Sequence, residues 1–251
     1  MKTVVAVHDL SCYAKSSLTV VVPTLSAMGI EVSPLPTALL STQTDGFSNY
    51  FYKNLHSEQQ SIIEHWKTLD LTFDAIYSGF LGNTESADIL LDLIQWQMKN
   101  HPLIIVDPVM GDNGSLYQPI TVEFVDKMKR LVALADVLTP NITEAALLLG
   151  EPYQEDVSVS VCTQWAKRLS LLGPRFVTIT SVMEKGKSLV VSYDKKSDTP
   201  FVHSQEHLPL SYPGCGDFFT SILCGELLNN VQFSQAVATA AQLVKLAIQK
   251  S

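Results

Sequence analysis

Six short runs rich in Val and Ile, at 3–7, 30–37, 75–78, 103–107, 137–139 and 176–180, are separated by stretches of helical period. That alternation constrains the fold more than any other feature. A parallel strand pair needs a long crossover, and a helical crossover covers the sheet, so the pattern predicts an α/β fold of three layers with a mostly parallel central sheet. Within the crossovers Ala87, Leu90, Leu91, Ile94 and Met98 share one helical face, as do Cys162, Trp165, Ala166 and Leu169, and Val237, Ala240, Ala241, Val244 and Ile248. Stripes of this kind face a core. After residue 180 the texture changes to short runs at 188–193, 200–204 and 206–210 parted by polar turns, which predicts a small antiparallel edge, and two helices then close the chain. With no repeat, no Pro/Gly/Ser-rich linker and no shift in composition, residues 1–251 read as a single domain.

Charge narrows the partners. Seventeen basic against twenty-five acidic side chains leave a net charge of -8, and no basic patch offsets it, so neither nucleic acid nor a membrane surface is an expected partner. A small anion such as ATP stays possible, because backbone amides, Mg²⁺ and one or two local charges suffice to hold it. The four cysteines, Cys12, Cys162, Cys215 and Cys224, show no CxxC pair or metal-ligand spacing and read as free thiols of a reducing compartment. The first apolar run has five residues, too short for a signal sequence, and the cytoplasm is the expected location.

In open parallel sheets ligands bind beyond the carboxyl ends of the strands, so the polar residues there carry the functional signal. His8-Asp9-Leu10-Ser11-Cys12 lacks the glycines of a dinucleotide fingerprint, which argues against NAD. Gly186-Lys187-Ser188 has the tail of a P-loop, but Ser181 stands where the first glycine belongs and strands flank it, so it reads as a turn. His8 and Cys12 as base and nucleophile rest on sequence proximity alone, which has no geometric force.

The strongest local chemistry is Pro213-Gly214-Cys215-Gly216-Asp217 ahead of a helical run. Glycines before a helix let several N–H groups converge on one anion, and Asp217 in the first turn either accepts a proton from an attacking hydroxyl or merely caps the helix. Asp107, followed by Pro108, ends a buried strand with a carboxylate suited to Mg²⁺ or its waters. Asn141 and Glu144 form either a ligand pair or a capping box. Thr178-Ile179-Thr180-Ser181 ends another strand with hydroxyls that suit a phosphate or ribose.

Thr42-Gln43-Thr44, Ser78-Gly79-Phe80-Leu81-Gly82, the segment from Asp107 to Tyr117, Thr139-Pro140-Asn141 with Glu144, and Gly214-Cys215-Gly216-Asp217, in this order, resemble the ribokinase-like superfamily and within it the pyridoxal (vitamin B6) kinase family. The resemblance spans nearly the whole chain. It implies an ATP-dependent kinase of the 5'-hydroxymethyl group of pyridoxal, pyridoxine or pyridoxamine. Asp217 would be the base, the amides of Gly214, Cys215 and Gly216 the anion hole, and Asp107 and Glu144 would hold Mg²⁺ partly through water. It further implies Asp112, Asn141 and Thr180 on the ATP side, Asp9, Ser11, Thr44 and Phe80 on the vitamer side, activation by a monovalent cation such as K⁺, and a homodimer.

Hydroxymethylpyrimidine kinases share the fold and most of these motifs. Gly111 to Tyr117, the aromatic Phe80 and Thr42 in place of a family glutamine favour the vitamer. Asp9 stands where many pyridoxal kinases carry serine, Gln43 replaces a common histidine, and Cys215 replaces the usual Thr or Val. Cys215 is either a small space-filling side chain or, beside a helix N-terminus, a thiolate able to add to an aldehyde. A sugar or nucleoside kinase would bring an N-terminal lid with a Gly-Gly pair, which 7–40 lacks, and a pure vitamin-binding protein has no use for Asp217.

Overall fold

Strand β1 (Thr3–Ser11) stands third from one edge of the sheet, and the chain leaves it in two directions. Through α1 (Leu18–Ala27) it reaches β2 (Glu31–Leu40), followed by the short antiparallel β3 (Tyr52–Asn54) at one edge and then α2 (His56–Thr68). From there the chain returns to the other side of β1 through β4 (Ala75–Ser78), α3 (Thr84–Gln97), β5 (Leu103–Val106), a hairpin of β6 (Gly111–Asp112) and β7 (Ser115–Leu116), α4 (Val122–Val132) and β8 (Val137–Leu138). After α5 (Ile142–Leu149) and α6 (Val159–Ser170), β9 (Phe176–Glu184) begins parallel to β8, then β10 (Lys187–Asp194) and β11 (Thr199–Glu206) complete the far edge as antiparallel strands, and α7 (Cys215–Leu228) and α8 (Phe233–Lys250) follow. The computed structural model describes residues 1–44, 46–208 and 212–250.

The nine strands run β11-β10-β9-β8-β5-β4-β1-β2-β3, so the strand order reverses between β1 and β4. Such a reversal splays the connecting loops apart at the carboxyl ends and opens a crevice there. One face of the sheet packs on α2 to α6 through residues such as Ile63, Leu90, Phe124, Ala145 and Trp165, and the other on α1, α7 and α8 through Leu25, Ile222 and Val237. The three-layer α/β expectation holds.

The stripes in α3 and α6 are turned inward as their spacing predicts except at Met98, and in α8 Val237, Ala240 and Ala241 are buried while Val244 and Ile248 are only half-buried. Met98 is 46% exposed, because α3 gives way there to a single 3-10 turn and the 3.6-residue period stops. The predicted run at 206–210 is not a third edge strand: Glu206 closes β11, 207–208 are irregular, and 209–210 lie outside the described residues. Gly186-Lys187-Ser188 is no P-loop: Lys185 and Gly186, both at positive φ, make the turn between β9 and β10, and Lys187 and Ser188 open β10.

The consequential departure is in β1, which continues past residue 7 to Ser11. Its pairing with β2 slips between His8 and Leu10, and His8 and Asp9 are both buried, as are Val4 to Val7 before them, because the sheet is covered on both faces.

Candidate active site

Asp217 lies in the first turn of α7, whose N-cap is Gly214 at φ 82°. A side chain there would be strained and would meet the Lys15 carbonyl at 2.9 Å, so glycine is required. No side chain caps the helix, which leaves its first amides directed outward. At Gly216 a Cβ would find only Asp107 Oδ2, at 3.9 Å, so the space above these amides opens toward the end of β5.

Two further elements hold the Asp217 carboxyl. The amide of Ser17, a residue at the unusual φ of 49°, donates to Oδ2 at 2.8 Å, and His8 Nδ1 lies 3.7 Å from Oδ1. The Asp217 backbone carbonyl accepts from the Ser221 hydroxyl. Burial, with the nearby charge of Asp9, pushes the Asp217 pKa up to about 7 against the pull of the Ser17 amide. A carboxyl poised near neutrality suits a general base.

Asp107 follows β5 and is buried. Its Oδ2 accepts from the Thr220 hydroxyl at 3.5 Å, and that hydroxyl also lies 3.1 Å from Thr139 Oγ1. Burial and then the charge of Asp217 hold Asp107 well above the usual carboxylate range. Glu144 is raised in the same way, by burial and then by Asp107. Among the described residues no lysine or arginine pairs with Asp107, Glu144 or Asp217. A buried acidic cluster without a cation fits a divalent ion. Among the described residues no set of three His, Cys, Asp or Glu side chains converges to hold a metal ion by itself, so an ion here would draw its remaining ligands from water or phosphate.

The capping reading of Asn141 and Glu144 is the one the geometry displays. Asn141 Oδ1 accepts from the Glu144 amide at 2.9 Å, Glu144 Oε2 accepts from the Asn141 amide at 2.8 Å, and Glu144 Oε1 accepts from the Met110 amide at 3.2 Å. Asn141 Nδ2 also donates to the Gly111 carbonyl at 2.8 Å, and the Gly114 amide donates to the Thr143 hydroxyl at 3.0 Å. The segment that carries Asp112 is thus a hairpin tied at two points to the start of α5, with Asp112 exposed at its turn. Thr180 is half-buried and bonded to the Pro140 carbonyl.

At the other end Asp9 is buried, with the Ser11 hydroxyl donating to its Oδ2 at 2.8 Å. Burial raises its pKa and hydrogen bonds from Ser17 and Ser11 lower it. Phe80 is buried just beyond β4, and its carbonyl accepts from Thr37. Thr44 is half-buried in the loop between β2 and β3, with no hydrogen bond among the described residues that ties it to the acidic cluster. Three contributors escaped the sequence reading, namely Ser17, Thr220 and the His8–Asp217 approach, because each depends on chain segments brought together from far apart. Cys215 is corrected. Burial and then the Asp217 charge push its thiol pKa up, which outweighs the helix N-terminus and removes the reason for a thiolate.

The family model for phosphomethylpyrimidine kinase matches residues 3–251. The chain belongs to the phosphomethylpyrimidine kinase family. Pyridoxal kinases stand among both the curated relatives and the solved structures that it matches, as the ribokinase-like resemblance implies. The crystal structure of a Bacteroides thetaiotaomicron protein, provisionally described as a phosphomethylpyrimidine kinase and solved with pyridoxal, is 40% identical, with a TM-score of 0.95 over 99% of this chain and 88% of that one. Pyridoxal kinase from Lactobacillus plantarum is 29% identical, with a TM-score of 0.90 over 100% and 88%. Pyridoxal kinase of Arabidopsis thaliana is 30% identical over 210 residues, 80% of this chain and 66% of that protein. In that match and in those to a Bacillus subtilis pyridoxine kinase and a Caenorhabditis elegans relative, the aligned stretch spans no more than 66% of the relative's length. For this kinase family the acidic cluster at the β1–β4 reversal, roofed by the uncapped start of α7, is the natural place for chemistry.

Proposed function

We propose that this chain is an ATP-dependent kinase of vitamin B6, transferring the γ-phosphoryl group to the 5'-hydroxymethyl group of pyridoxal, pyridoxine or pyridoxamine. The observation that carries the reading is Asp217, a carboxyl held near neutral pKa at the mouth of an uncapped helix. Its ionised form takes the proton of the acceptor hydroxyl as that oxygen attacks. The outward amides of Gly214, Cys215 and Gly216 meet the charge on the transferring group, and this kind of preorganised stabilisation is worth about 10²- to 10³-fold per donor. Mg²⁺, bound near Asp107 and through water near Glu144, would neutralise phosphate charge. Asp112, Asn141 and Thr180 line the nucleotide side, Asn141 by holding the hairpin in place. Asp9, Ser11, Thr44 and Phe80 form the vitamer side, where the Phe80 ring offers a face to a pyridine.

Pyridoxal in the Bacteroides relative and the names of the plant and Lactobacillus relatives support this substrate. Hydroxymethylpyrimidine is the second reading, favoured by the family description. Residues 1–251 would work as one domain, as a homodimer in the cytoplasm, with a monovalent cation such as K⁺ assisting. Among the described residues no helix is long and apolar enough to cross a membrane. The test is phosphorylation of pyridoxal beside hydroxymethylpyrimidine, with ATP and Mg²⁺, by the parent and Asp217→Asn. The vitamer should be preferred and turnover should fall about 10²- to 10⁴-fold in the variant, the usual share of a general base. Preference for the pyrimidine would overturn the substrate, and an active Asp217→Asn would overturn the base.

A further inference from the structure

His8 is fully buried and has no task in the mechanism above. Among the described residues neither ring nitrogen completes a well-formed hydrogen bond, the Tyr77 backbone offering at most a weak one, although a poorly satisfied buried N–H disfavours the folded state and an apolar ring would fill the same space without it. The chain also makes room for this ring. A side chain on Gly79, just beyond β4, would stand 2.3 Å from Nδ1 and 2.5 Å from Cε1, so glycine at that position admits the imidazole. The ring packs edge-to-face on Tyr77, with centroids 4.4 Å apart and planes at 83°. That contact and the strand bulge fix its direction, and Nδ1 faces Asp217 Oδ1 at 3.7 Å, just beyond hydrogen-bond range.

The groups around Asp217 leave this oxygen to His8. The Ser17 amide occupies Oδ2, and the Tyr77 and Ser221 hydroxyls address the backbone carbonyl. The charged neighbours, Asp9 on β1 and Asp107 beyond β5, are acidic and can only repel the carboxylate. Burial drives the His8 pKa down to about 3, against an opposing pull from the Tyr77 backbone, so the ring is neutral and carries one N–H.

Resting on the kinase reading given above, we propose that His8 is a positioning residue for the catalytic base: its Nδ1–H closes onto Asp217 Oδ1 when substrates fill the site and fixes one carboxylate oxygen as the Ser17 amide fixes the other. Each oxygen retains a lone-pair site for the substrate proton. The interaction orients the base without placing a positive charge beside it.

The test compares the parent, His8→Phe, His8→Asn and Asp217→Asn in pyridoxal phosphorylation across pH. His8→Phe keeps a ring against Tyr77 and loses the donor, whereas the amide nitrogen of His8→Asn falls near the position of Nδ1. His8→Phe should lower kcat about 10- to 100-fold with both KM values within twofold, and should move the acid limb of kcat to higher pH, because a donor to the ionised form has been lost. His8→Asn should recover most of the rate. Parent-like kcat and acid limb in a folded His8→Phe, or no recovery in His8→Asn, would overturn the proposal. If His8→Phe does not fold, the imidazole NMR signals of the parent decide. A downfield Nδ1–H resonance of His8 on adding ADP and pyridoxal supports the contact, and unchanged signals overturn it. A parent that phosphorylates no pyridoxal overturns the function and this role together. Turnover that dies in Asp217→Asn and is untouched in His8→Phe overturns the role alone.

Discussion

Replacing Asp217 by Asn should make the protein more stable while abolishing its turnover, because the carboxyl is held where ionisation is unfavourable. Its pKa stands at about 7 in the folded chain against the ordinary value of 3.8 for an aspartate. Roughly three units at about 1.4 kcal/mol each set a ceiling of about 4 kcal/mol on the cost of the charge at pH 8. The side chain remains 13% exposed and its surroundings relax, so about half of that, about 2 kcal/mol, is the working figure. The sign follows from linkage. The folded state holds this proton more tightly than the unfolded one, so its contribution is complete below about pH 4 and is lost as pH rises through about 7. Asparagine never ionises, still offers Oδ1 to the Ser17 amide, and turns its amide toward a neutral imidazole. At about 2–4 °C per kcal/mol for a chain of this length, Asp217→Asn should melt about 4–8 °C above the parent at pH 8, with a gap that narrows steadily toward pH 5. Differential scanning calorimetry of the two proteins at four pH values reads this directly. A variant that melts at or below the parent at pH 8, or a gap that does not vary with pH, would refute the reasoning.

Three other outcomes follow from the same geometry. Vitamer phosphorylation should lose about tenfold in kcat/KM for each pH unit below about 7 as Asp217 takes up its proton, and steady-state rates that stay flat from pH 5 to 7 would show that another group is the base. Gly214→Ala should cost about 1–3 kcal/mol, measured by urea unfolding, because it places a side chain at φ 82° and 2.9 Å from the Lys15 carbonyl; a neutral result would mean that the loop before α1 yields. Cys215→Ala should change pyridoxal and pyridoxine turnover by the same factor, since the half-buried thiol, its pKa raised, stays protonated, and a loss confined to the aldehyde would restore a covalent role.

Much of the site was legible because its parts are local. A strand followed by a carboxylate, as at Asp107, and glycines followed by a helix, as at Gly214 to Asp217, each carry their signature within a few residues. The capping box of Asn141 and Glu144 is equally local, and there the modest reading of the sequence is the geometry observed. Tightly spaced stripes such as Cys162, Trp165, Ala166 and Leu169 turn inward because burying an apolar stripe is the main favourable term for a helix. Met98 failed where the helix changed pitch. The strands β3, β6 and β7 have two or three residues each, too few for any period to show.

The sequence by itself therefore determined the α/β class, the order of the layers and the positions of the chemical groups along the chain, since period and local motif encode these. Tertiary structure decided what those groups are able to do. Cover on both faces of the sheet buries His8 and Asp9 at the end of β1, and the strained backbone of Ser17, 200 residues from Asp217, brings its amide to the carboxylate. Electrostatics depends on distance and on access to water, which linear order does not contain. That is why a first-turn aspartate legible as a cap became, among buried acids, a carboxyl poised at about neutral pH.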